Sequence, residues 1–152
     1  MSEYFSLKVF SSSGISISEC DPPLVIMVAL TLFVTARLYF VQRRAVKGWE
    51  VKYGFFKTYQ GDRPEYLQAA RDHYKHMFEL PLLFYVWVIV TILMENVDRL
   101  DLTLAWLFVI SRIVHSTIRI IDHTKLRYRF TAFTVGWFVI LVAFGKLLLG
   151  LL

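Results

Sequence analysis

Apolar residues gather into four long runs, at 24–41, 77–94, 102–121 and 130–149, and most charged residues fall between them. A helix that crosses a bilayer needs about 20 mostly apolar residues. Each run is close to that length, so the pattern predicts an all-α integral membrane protein built as a four-transmembrane-helix bundle. The first and last runs are nearly free of charge, with Arg37 and Lys146 close enough to an end for their side chains to snorkel. The second and third runs carry charges of their own. Function is expected at those interruptions.

The connecting segments differ in charge. Between the first and second runs lie Arg43, Arg44, Lys47, Lys52, Lys57, Arg63, Arg71 and Lys75, and between the third and fourth lie Lys125, Arg127 and Arg129. The opposite side offers only Lys8 and Arg99, the latter among Glu95, Asp98 and Asp101. The positive-inside rule therefore puts the first and third connections in the cytoplasm and both termini outside it. Residues 1–23 are serine-rich and lack a basic region followed by an apolar core, so they read as a polar tail, with 24–152 forming the membrane domain. Gly61-Asp62-Arg63-Pro64 reads as a turn into a helix, in which Asp62 or the turn caps free amides and Pro64 suits the first helical turn. That helix is expected to continue directly into the second span, with a kink at Pro81.

Composition agrees with this picture. At 152 residues and 57% apolar or aromatic, the chain has the length of one domain and more apolar surface than a soluble core can absorb. A net charge of +5 would suit nucleic acid, but the basic residues are segregated by loop, so membrane lipid is the expected partner and nucleic acid is not. The single cysteine, Cys20, allows no intrachain disulfide.

Two polar stripes stand out. Asp72, Lys75, His76 and Glu79 are spaced i, i+3, i+4 and i+7, and Arg112, His115 and Arg119 are spaced i, i+3 and i+7, so each set shares one helical face. Both lie in the cytoplasmic half of the bundle, with Arg112 deepest, roughly 15 Å from the outer end at 1.5 Å per residue. A charge facing lipid costs about 2.5–3.5 kcal/mol on insertion scales. The stripes are therefore expected to face the interior or a subunit boundary, pairing Glu79 with Arg112 or Lys75. As plain structure they would be ion pairs between helices. As a site, their excess of positive charge over Glu79 would make a water-reachable pocket for a small anion.

Arg71 followed by HMFELPLLFY at 76–85, AWLFV at 105–109, RIVHS at 112–116 and RYRF at 127–130 occur in an order and spacing that agree with four spans. In these stretches the chain resembles the MAPEG superfamily, membrane-associated proteins in eicosanoid and glutathione metabolism, and in particular its uncharacterised bacterial branch. The resemblance implies a homotrimer in a bacterial inner membrane, with glutathione or another small thiol held between subunits near the cytoplasmic surface. It implies a transferase or peroxidase acting on a lipophilic small-molecule electrophile. Glu79 would meet the thiol's ammonium, Lys75, His76, Arg112, His115 and Arg119 would line the thiol site, and Arg127, or alternatively Arg129, would stabilise the thiolate. His76 replaces a usual asparagine and Arg119 a frequent tyrosine, which leaves room for a different thiol or an anionic lipid.

Two readings from other classes compete. His73, His76 and Glu79 could bind a metal, but their i, i+3, i+6 spacing drifts around a helix and no second histidine set completes a site, so no metal is expected. A non-catalytic membrane protein that binds lipid or a partner is the second, since the same superfamily includes an activator of a partner enzyme. Trp49, Trp87, Trp106 and Trp137 do not separate these readings, because interface anchoring and packing account for them.

Overall fold

The computed structural model describes residues 21–52, 54–58, 64–94, 97–121 and 126–151. The tail with Lys8 and Cys20, the Gly61-Asp62-Arg63 turn, Glu95, His123 and Lys125 lie outside the described residues. The helices are α1 (Asp21–Lys47), α2 (Phe55–Thr58), α3 (Glu65–Leu93), α4 (Arg99–Ile121) and α5 (Leu126–Leu151). All but α2 are long and apolar enough to cross a membrane, as the four runs predict.

Each helix has a local reason for its limits. The first turn of α1 holds Asp21, Pro22 and Pro23, an acidic group at the positive end of the helix dipole and rings that need no amide partner there. Its far end closes in a Schellman arrangement: the Trp49 amide donates to the Val46 carbonyl and the Glu50 amide to the Ala45 carbonyl, both at 3.1 Å. Pro64 is the N-cap of α3, one position before the expected first turn, and its carbonyl accepts the Leu67 and Gln68 amides. From Glu65 the helix continues through Pro81 to Leu93, so the segment before the second span and the span itself are one continuous helix. Asp98 and Asp101 cap α4 reciprocally, each side chain accepting the other's amide, at 2.9 and 3.1 Å.

In the bundle α4 packs most broadly on α5 and α1 on α3. The core is apolar and aromatic: Phe84 of α3 stacks on Phe108 of α4 at 4.7 Å, with Met27, Met77, Trp87, Val109, Ile140 and Ala143 around them. An aromatic pair of this kind contributes about 0.5–1.5 kcal/mol beyond the area it buries. A smaller cluster of Ala45, Val51 and Leu67, with Phe55 and Phe56 against it, folds the segment containing α2 back onto α1 and α3. Most residues on the outer faces are large and apolar, as a lipid-facing surface requires.

At the end away from that segment, Lys146 bonds both capping carboxylates, 2.8 Å from Asp98 and 2.5 Å from Asp101. The lysine expected to snorkel is instead a tie between α5 and the start of α4.

Candidate functional site

The polar residues of α3 and α4 divide into two groups. Arg112 is 1% exposed and has no carboxylate partner among the described residues. Its Nη2 donates to the carbonyls of Ala132 and Phe133 at 3.1 Å each, and its guanidinium lies over the Phe108 and Phe133 rings, 5.3 and 5.5 Å from their centres. Each carbonyl has a second lone pair, so it can accept this bond while keeping its place in the helix ladder. The guanidinium reaches α5 because Gly136 leaves a notch there: a Cβ at Gly136 would fall 2.1 Å from Nη2. Two charge-assisted bonds and two ring faces offset the cost of burying the cation.

Glu79 does not meet Arg112 or Lys75. Its carboxylate bonds His76 Nδ1 at 2.9 Å on the outer side of α3, with both side chains roughly half exposed. The pairing expected between the stripes is thus replaced by two separate arrangements. One is an i, i+3 contact along α3, and the other is an arginine satisfied by backbone. Lys75 is exposed.

The second group is buried as well. His73 of α3 and His115 of α4 face each other with ring centres 6.3 Å apart, and Arg119 lies one turn further along α4. His73 Nε2 shares a 3.1 Å hydrogen bond with Ser116 Oγ, and His115 Nδ1 one of 3.2 Å with the Arg129 carbonyl. The other ring nitrogen of each histidine and Nε of Arg119 are buried without a hydrogen-bond partner among the described residues. Arg37 of α1 acts electrostatically on both His73 and Arg119, while Arg129 and Asp72 act on Arg119. Four helices therefore bring basic groups to one place, against a single carboxylate among the described residues, Asp72. Such a cluster suits an anionic ligand: the open Arg119 Nε carries a hydrogen to donate, and His115, whose Nδ1–H goes to the Arg129 carbonyl, gains a donor at Nε2 when it takes up a proton beside the anion.

Of the candidate residues, the structure brings His115 and Arg119 together with Arg129, and sets Arg112 beside them as the link to α5. Arg127 is exposed at the start of α5, away from this contact set, so Arg129 is the better placed of the two alternatives. His76 and Glu79 lie beside the cluster, His76 having its ring centre 6.0 Å from that of Phe133. His73 was considered only as a metal ligand, yet it points inward to α4 while His76 and Glu79 point outward. Among the described residues no group of three metal-ligating side chains converges. Sequence reading also missed Arg37 and Gly136. The signal for Gly136 was a glycine inside an apolar span with a buried arginine to accommodate.

A four-helix membrane-spanning bundle with a buried basic cluster at one end is the class that fold and site define. The MAPEG family profile matches residues 23–149, nearly the whole chain, and the protein belongs to that family. No curated protein and no solved structure matches the chain.

Proposed function

We propose that the protein is a membrane-bound, glutathione-dependent transferase or peroxidase acting on a lipophilic electrophile. The thiol is bound as an anion at the cytoplasmic side, between subunits of a homotrimer. One observation carries this reading: His73, His115 and Arg119 present buried nitrogens without partners among the described residues, beside Arg37 and Arg129. A tripeptide thiol brings carboxylates to the Arg119 Nε–H and to a His115 ring that takes up a proton beside them, and membership in the MAPEG family supports glutathione as that thiol. His115 and Arg119 hold the carboxylates, Glu79 meets the ammonium with Lys75 and His76 beside it on the rim, and Arg129 favours the ionised sulfur. Arg112 acts as a positioning residue, fixing α5 against α4.

The test separates binding from turnover. Glutathione affinity is measured by calorimetry in detergent, and conjugation with an aryl halide is followed on the same samples. Arg119→Gln is expected to weaken thiol binding by roughly tenfold or more, the loss of one charge-assisted contact. Arg129→Gln is expected to reduce turnover more than affinity, because a charge that stabilises the thiolate acts on the reacting atom. Arg127→Gln should change both by less than twofold or threefold. No thiol binding by the wild type would overturn the proposal, and binding without turnover on any electrophile would favour a non-catalytic binding protein.

A further inference from the structure

We propose that a groove beside the C-terminal end of α1 binds the headgroup of an anionic phospholipid, at a site separate from the buried basic cluster. The groove is lined by Tyr39, Gln42, Arg43, Val46, Lys47 and Phe56, with Phe56 from α2 forming the wall opposite α1. A shallower depression lined by Arg43, Arg44 and Lys47 adjoins it. Arg43 and Lys47 are exposed and make no ion pair with a described carboxylate.

Its depth in the bilayer follows from the helix. The apolar run at 24–41 spans about 27 Å at 1.5 Å per residue, close to the ~30 Å hydrocarbon layer. Arg43, Arg44 and Lys47 come immediately after that run, at headgroup level, with Tyr39 in the belt where amphipathic rings gather. Below them the face of α1 that carries Tyr39 and Arg43 exposes Val25 and Leu32, each more than half accessible, a surface for the acyl chains of the same lipid. Cations at the rim, aromatic walls at the boundary and apolar surface beneath are complementary to one amphiphilic anion.

Trp49 adds an independent observation. It occupies the left-handed position of the Schellman turn at φ 57°, where glycine is usual, and it is 94% exposed. Left-handed backbone is unfavourable for a non-glycine residue because its Cβ crowds the following carbonyl oxygen. A tryptophan held there, two residues after Lys47 and with its indole uncovered by the described residues, is placed to enter the same layer as the basic groups at the end of α1. An indole partitions into the headgroup layer, which accounts for its placement.

The full-length protein in neutral detergent is titrated with phosphatidylglycerol or with phosphatidylcholine of the same acyl chains, and thermal stability is followed. Phosphatidylglycerol should stabilise at roughly tenfold lower concentration or better, since each basic residue near an anionic surface contributes about fivefold in affinity. The double variant Arg43→Gln/Lys47→Gln should lose this preference while its melting temperature in phosphatidylcholine is unchanged, and Lys47→Gln alone should lose about half of it on a logarithmic scale. Arg99→Gln, an exposed arginine at the opposite end, should keep it. Equal stabilisation by the two lipids, an undiminished preference in the double variant, or an equal loss in Arg99→Gln would overturn the proposal. So would a change in oligomer mass in the double variant without a lipid preference in the wild type, which would assign the groove to a second copy. Glutathione affinity of the double variant is measured in parallel and is expected to be unaltered, so failure here is distinct from failure at the buried cluster.

Discussion

At the level of single residues, the sequence told which side chains could not face lipid but not what they would meet. Arg112 at the centre of an apolar run had to turn inward on grounds of cost alone. Its acceptors, the carbonyls of Ala132 and Phe133, were illegible because every residue carries a carbonyl and only packing selects two of them. Glu79 was the nearest carboxylate on paper, yet its neighbour one turn back, His76, takes it. The contact that decides Arg112 is the absence of a side chain at Gly136. Gly136→Ala is therefore expected to force the guanidinium off its carbonyls and lower stability by about 1–3 kcal/mol, as overpacking of a filled site does. Thermal melts in detergent check this. Arg112→Gln is destabilising in its own right, but placing Gly136→Ala on that background should cost far less than in the wild type, because the shorter side chain vacates the notch. Additive losses would contradict the assignment.

At the level of elements, the four spans and the continuous α3 could be read from hydrophobic runs and turn residues, whereas the ends of the helices could not. The acidic segment around Asp98 and Asp101 looked like a charge-poor-in-lysine loop, and Lys146, more than forty residues later, looked like a terminal snorkelling lysine. Folding makes them one clasp: a reciprocal cap on α4 with an ammonium from α5 upon it. Partial burial opposes ionisation of the Asp98 carboxyl, but the Lys146 bond, the Asp101 amide and the Lys146 charge outweigh it, holding Asp98 below the usual carboxylate range. A depressed carboxyl contributes stability that is present above its unfolded value, about 3.9, and is lost as pH falls through the lower native value. Asp98→Asn should accordingly lower the melting temperature at neutral pH, and the gap to the wild type should close progressively below about pH 4. A gap that stays constant down to the acid limit of the melt would show that the clasp does not depend on the ionised carboxylate.

At the level of the whole molecule, the helices are enclosed unequally. Half of the apolar window of α4 is buried inside the subunit, against 11% of that of α1. A single chain therefore leaves α1 with an apolar face turned outward, and Arg37 on that helix sits in an outward groove with Phe33, Phe40 and Val41 while also acting on His73 and Arg119. A cation that faces outward through apolar surface, and belongs electrically to the buried cluster, is better sheltered by a neighbouring protein surface than by acyl chains. This supports the proposed homotrimer, in which part of the site would lie at a subunit boundary. Native mass spectrometry in mild detergent is expected to give three times the 17.8 kDa chain mass. Dilution below the trimer's dissociation range should then lower glutathione affinity, because a shared site is lost with its second wall. Arg37→Gln is expected to weaken thiol binding in the trimer while leaving the assembly intact. A stable monomer with undiminished thiol affinity would remove the intersubunit site and leave His73, His115 and Arg119 as a pocket complete within one chain.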